Sequence, residues 1–179
     1  MLDWKVYYDR YCGDNAPLYE LLSIHSRSVA DKALTIVRSH PELGADAEFV
    51  EEAAMLHDIG IYLTNAVPIH CFGSEPYICH GYLGAELLRR EGLPRHALVC
   101  ERHTGTGLSL EEIVKRGLPI PHRDMMPVSV EETVICFADK FYSKTRPEEE
   151  KSIDAAIHSL AKFGEDGVNR FRGWCERFL

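Results

Sequence analysis

Apolar residues along this chain recur mostly at steps of three and four, the spacing that gathers side chains on one face of a helix. From Leu18 to about Ser39 the stripe is Leu18, Leu22, Val29, Ala33 and Ile36, and His25 falls on the same inward face. Asp46 is placed to cap a second helix that carries Phe49, Val50, Ala53, Ala54 and Leu56 and ends at the pair His57-Asp58, with Gly60 suited to close it in a left-handed turn. After a loop rich in turn formers (Pro68, Gly73, Ser74, Pro76), a third helix is predicted from about Tyr77 to Arg90, with His80 in its first turn and Gly92 at its end. Pro94 suits the first position of a fourth helix that runs to about His103, where Gly105 and Gly107 break it.

Two further starts are spelled by capping boxes, Ser109 with Glu112 and Ser129 with Glu132. In the helix opened at Ser129, the residues Ile135, Asp139 and Tyr142 share a face, which turns the aspartate inward. A charged joint from Arg146 to Lys151 leads to one or two last helices holding Ile153, Ile157, Leu160, Phe171 and Trp174. Strand signals are scarce. The pattern predicts an all-α, single-domain helical bundle over 1–179, and bundles of this kind build ligand sites from side chains that project inward from several helices.

The length of 179 residues suffices for a core that needs neither disulfides nor a structural metal. Any metal is therefore expected to serve chemistry rather than folding. A net charge of -8 argues against an extended nucleic-acid surface, which requires a basic stripe, but leaves small phosphate esters open because bound cations reverse the local field. The first fifteen residues lack the basic start and apolar run of a signal peptide, and no segment approaches a membrane span, so a cytoplasmic location is expected. The six cysteines are scattered without a C-x-x-C pair, which favours buried reduced thiols.

Candidate chemistry concentrates in histidines and aspartates. His57 and Asp58 are adjacent, and neighbours in a helix interior point about 100° apart, so only at a helix end can both aim into one cleft. Around them stand His25, His80 and His103, and Asp139 within Ala-Asp-Lys. Taken singly, each has an ordinary reading: His25 as a hydrogen-bonded core residue, His80 as a helix-start residue, Asp139 as a buried acid paired with Lys140 or Arg146. His96 and His158 lie on predicted helices without a companion ligand and are expected to be exposed. His40 sits in a loop.

In its order His25, His57-Asp58-Ile59-Gly60, His80, His103, Asp139, the chain resembles the HD-domain superfamily of metal-dependent phosphohydrolases in its HDIG form, over about Leu18 to Arg146. The resemblance implies a first metal site of His25, His57, Asp58 and Asp139, with Asp58 bridging to a second ion held by His80 and His103. It makes Asp58, His80 and His103 catalytic as well as ligating. One or two divalent ions are implied, among Fe, Mn, Zn, Ni or Co, with Mg possible. The implied activity is hydrolysis of a small phosphorylated substrate, a nucleotide or related phosphomonoester or phosphoanhydride, by metal-activated water. Two alternatives use the same ligands: an HD-type di-iron oxygenase, and a nucleotide-binding regulatory module.

Candidate substrate-binding residues are His70 and His122 in loops, Arg123, and Lys140 and Arg146 after the last aspartate. The segment Gly105 to Asp124 reads as a lid that sets specificity or as a rigid packing loop. The basic residue that diadenosine-tetraphosphate hydrolases of this superfamily carry just after the glycine is absent, since Ile61 and Tyr62 follow Gly60, and the Gly-Tyr-Pro run of cyclic-dinucleotide phosphodiesterases is absent too. The resemblance also makes a homodimer possible.

Overall fold

The computed structural model describes residues 2–179 and is mostly helical. Nine α-helices appear among these residues: α1 (Lys5–Cys12), α2 (Ala16–Ser39), α3 (Ala47–Leu56), α4 (His80–Arg90), α5 (Pro94–Arg102), α6 (Leu110–Lys115), α7 (Val130–Asp139), α8 (Ile153–Ala161) and α9 (Glu165–Phe178). A two-residue antiparallel pairing, β1 (Asn65–Ala66) with β2 (Cys71–Phe72), sits between α3 and α4.

Helix starts follow the side chains that accept from otherwise unpaired amides. Asp46 accepts from the Phe49 amide at 3.1 Å, and Ser109 and Glu112 close the reciprocal box at the start of α6. At α7 only half of the expected box forms. Ser129 Oγ accepts from the Glu132 amide, whereas the Glu132 carboxylate takes the Val128 amide and the Arg102 guanidinium, both at 2.8 Å. The glutamate thus ties α5 to α7. Helix α1 was not foreseen from the sequence. Its eight residues hold too short a stripe, Tyr8 and Cys12, and what fixes it is tertiary: the fully buried Tyr8 hydroxyl donates to the Met55 carbonyl of α3 and lies 3.0 Å from Ser26 of α2.

The main core joins α2, α3, α7 and α9 through Val29, Ala33, Phe49, Val50, Ile135 and Phe171. Phe137 docks α9 on α7, its ring centroid 5.2 Å from Phe171 and 5.4 Å from Phe178, contacts worth about 0.5–1.5 kcal/mol each beyond area burial. A second core lies under α1, α4 and α5. A third, smaller one lies beneath α6 and comprises Cys79, Leu108, Ile113, Ile120 and Met125. It makes the segment from Gly105 to Asp124 a packed wall. All six cysteines are free thiols, and five are buried.

Gly60 has a different purpose from the left-handed turn expected of it. It lies inside the 3-10 segment Ile59–Leu63 with no positive φ. A Cβ there would stand 2.3 Å from the His80 carbonyl oxygen and 2.4 Å from the Gly84 nitrogen. Hydrogen at this position lets α4, with His80 at its first residue, press against the chain just after Asp58.

Candidate metal centre

The end of α3 delivers the central pair. His57 keeps helical angles (φ -58, ψ -28) and Asp58 turns off at φ -106, ψ 9, so that both side chains enter one buried space. His25 reaches it from the middle of α2, Asp139 from the last residue of α7, His80 from the first residue of α4, and His103 from the residue after α5. All six are buried, and His25, His57 and Asp58 have no exposed surface.

Their atoms form two groups that share Asp58, and within each group the ligand atoms lie within 4.8 Å of one another. In the first, Asp58 Oδ2 lies 3.2 Å from His25 Nε2 and 3.1 Å from His57 Nε2, and Asp139 Oδ1 is 3.1 Å from His25 Nε2. In the second, the other oxygen of Asp58, Oδ1, faces His103 Nε2 at 3.3 Å and His80 Nε2 at 3.5 Å.

Three of the four imidazoles are oriented in one way. Nδ1 of His57, His80 and His103 bonds the backbone carbonyl three residues earlier, Ala54, Tyr77 and Cys100, at 2.6, 2.7 and 2.7 Å. A neutral ring whose Nδ1–H donates there presents the bare Nε2 lone pair to the site, the tautomer a metal ligand needs. Nε2 of His80 and Nε2 of His103 are 3.0 Å apart. Two lone pairs facing at that distance repel unless a cation lies beside both, and nitrogens bound side by side to one ion at ~2.1 Å would be separated by about 3 Å. Asp58 Oδ1, both His25 ring nitrogens and His57 Nε2 are buried without a hydrogen bond of good geometry, and Asp58 Oδ2 has only its ion pair with Lys144. Orphaned polar atoms this concentrated are costly, and an imidazole–carboxylate set of this composition fits a divalent transition metal.

Charge is distributed unevenly. Burial acts to raise both carboxyl pKa values, yet Lys144 and His57 hold Asp58 well below the usual carboxylate range, and Lys140 with His25 and His57 does the same for Asp139. Lys144 Nζ is 2.6 Å from Asp58 Oδ2, and Lys140 Nζ is 2.7 Å from Asp139 Oδ2. Burial disfavours a charged His57, but Asp58 and Asp139 outweigh it and push its pKa up to about 9. For His80, burial and the neighbouring His103 push the pKa down to about 3, and burial lowers that of His103 as well. Both imidazoles of the second group are therefore held neutral at physiological pH, and its one charge is the shared Asp58 carboxylate.

Two cavities, of about 470 and 460 Å³, meet at this centre, and both reach Tyr77, Asp139, Lys140 and Lys144. Of the residues named from sequence as substrate-binding, Lys140 lines both. The other four line neither cavity. His70 is exposed in a left-handed conformation (φ 61), and His122 is also exposed. Arg123 pairs with the buried Glu101, and Arg146 pairs with Glu149 at 3.1 Å on the surface. The sequence analysis assigns no role to Tyr77, Lys144 or Arg170, and only the loop path after α7 singles out Lys144. His96, expected to be exposed, is instead buried, 3.4 Å from Glu52 and edge-on to Phe49, because its helix face packs on α3.

Comparison with known proteins agrees with this geometry. The HD domain model matches residues 22–143. An uncharacterised protein of Methanocaldococcus jannaschii, MJ0778, is 32% identical over 141 residues, covering 77% of this chain and 74% of its own length. A tRNA (cytidine(56)-2'-O)-methyltransferase of Thermoplasma volcanium is 33% identical over 120 residues, and ribonuclease Y of Cutibacterium acnes is 29% identical over 119. The chain spans only 31% of the methyltransferase and 17% of the ribonuclease. No solved structure matches. No helix among the described residues is long and apolar enough to cross a membrane. With the family model covering most of the chain and the His/Asp cluster buried at its centre, this protein belongs to the HD-domain family.

Proposed function

We propose that the chain is a binuclear metal-dependent phosphohydrolase acting on a small phosphate ester or phosphoanhydride. The observation that carries this reading is the pair of buried ligand groups sharing Asp58 at the junction of two cavities whose walls bear Lys140 and Lys144. Divalent ions held by His25, His57, Asp58 and Asp139, and by Asp58, His80 and His103, would supply a water of lowered pKa and Lewis-acid stabilisation of the phosphoryl oxygens.

The chain's own residues account for the rest. Lys140 Nζ is anchored to the His103 carbonyl at 3.1 Å as well as to Asp139, so it has a fixed position from which to meet a phosphoryl oxygen. Lys144, tethered to Asp58, is a second cation at the same mouth. Tyr77 stacks on His80 with ring centroids 4.7 Å apart, and desolvation pushes its phenol pKa up to about 12, so the hydroxyl stays a donor at neutral pH. The acidic balance of the chain and the size of the cavities favour a small substrate over a polymer. One relative is named a ribonuclease, an enzyme of phosphodiester cleavage, which is in keeping with this chemistry.

Elemental analysis of protein purified without added metal, beside anaerobic hydrolysis of a phosphoester panel after reloading, tests the reading. About two transition-metal ions per chain and release of phosphate without dioxygen are expected. Substrate oxidation that requires dioxygen would assign an oxygenase instead, and tight nucleotide binding without turnover across several metals would assign a regulatory module.

A further inference from the structure

Helices α8 and α9 lie beyond the segment matched by the family model, yet they close one side of the larger cavity. Their contribution centres on Phe163, in the turn between them. Its amide donates to the Leu160 carbonyl at 2.9 Å, and the next residue, Gly164, has φ 117, a conformation that a residue with a side chain rarely adopts. The turn is thus fixed by its backbone. The ring is 64% exposed and lines both cavities that meet at the metal centre.

Across the cavity stands the wall built on α6, with Leu118 and Leu108. The Arg116 guanidinium lies 5.6 Å from the Phe163 ring centroid and has no carboxylate partner among the described residues. Arg170 of α9 braces the two walls, with Nε 3.1 Å from Thr106 Oγ1 and Nη2 3.2 Å from Glu112 Oε1 and 3.3 Å from the Gly107 carbonyl. The result is a braced slot with Lys140 and Lys144 at the His/Asp end and, away from it, the aromatic face of Phe163 with Leu118 and the Arg116 guanidinium.

We infer that this slot is the leaving-group subsite and that Phe163 selects a planar aromatic group, such as the base of a nucleotide, whose phosphate lies at Lys140 and Lys144. The inference rests on the phosphohydrolase reading. A ring stacked on Phe163 gains apolar contact and, beside Arg116, cation–π attraction, whereas a sugar phosphate has no π face to offer either side chain. Phe163 is a specificity residue and holds none of the metal ligands, so its replacement leaves the buried centre intact.

Calorimetry on the metal-loaded protein with adenosine 5'-monophosphate, ribose 5-phosphate and inorganic phosphate tests the inference. The nucleotide should bind roughly tenfold or more tightly than ribose 5-phosphate, the range expected for one stacked base. Phe163→Ala should remove that advantage and leave the affinity for ribose 5-phosphate and phosphate unchanged. Phe163→Trp should retain it and show tryptophan emission, over that of the parent protein, that the nucleotide quenches and ribose 5-phosphate does not. Equal binding of nucleotide and ribose 5-phosphate by the parent protein, or a parallel loss of both in Phe163→Ala, would overturn the inference while the hydrolase reading stands on its own panel. If none of the three probes binds the loaded protein, the inference falls, and the phosphoester panel alone decides the hydrolase reading.

Discussion

The two halves of the His/Asp centre share one carboxylate but differ in how they are balanced without metal. The half formed by His25, His57, Asp58 and Asp139 has two carboxylates, and Lys140, Lys144 and a His57 whose pKa is pushed up to about 9 stand against them. The half formed by His80 and His103 has no cation of its own, since both imidazoles are held neutral and their Nε2 atoms face each other at 3.0 Å. The difference teaches that buried negative charge and buried lone pairs pose different problems. Charge is met by ammonium groups from the loop after α7, while the lone pairs have no substitute for an ion.

Removing the shared carboxylate should have the largest effect. Asp58→Ala is expected to abolish turnover and metal retention in both halves while circular dichroism still reports the helical fold; a variant that keeps either ion or full activity would break the proposed bridge. Replacing a histidine of one half alone should then separate the two. His103→Ala is expected to retain about half of the parent's metal by elemental analysis, because the first group keeps all four of its ligands, and to lose most activity.

Lys144 sharpens the comparison from the other side. Lys144→Met leaves Asp58 buried with one cation fewer, which should destabilise the metal-free protein by about 3 kcal/mol in denaturant titration. Metal should restore most of that loss, and a metal-free variant as stable as the parent would show that Lys144 does not balance the carboxylate. The smallest effect is expected at Gly60, where α4 packs against the chain just after Asp58. Gly60→Ala forces a Cβ against the His80 carbonyl and Gly84, an overpacking that costs roughly 1–3 kcal/mol and lowers the melting temperature by about 2–4 °C per kcal/mol. Because α4 carries His80, the ion of the second half should be lost first on dilution.

The bundle was largely legible in the sequence because helices announce themselves locally. The starts at Asp46, Pro94, Ser109 and Ser129 depend on a side chain within three residues of the amide it serves, or on a fixed proline φ, and the structure begins helices at each. Where the reading went astray, the deciding contact was distant. Helix α1 is held by Tyr8 against Ser26 and Met55, His96 is buried by α3, and Gly60 answers to α4, whose residues lie 20 or more positions along the chain. Likewise the partner of Arg123, the buried Glu101 carboxylate of α5, lies 22 positions away in the chain.

By itself, then, the sequence determined the helical class, the inward faces of α2 and α7, and which histidines and aspartates were available, since all three follow from periodicity and residue type. Only the tertiary structure decided which oxygen of Asp58 faces which histidines, that Lys144 stands beside it, and that the turn at Phe163 walls the cavity. Those facts depend on how helices far apart in the chain cross, and no local spacing encodes the distance between their side chains.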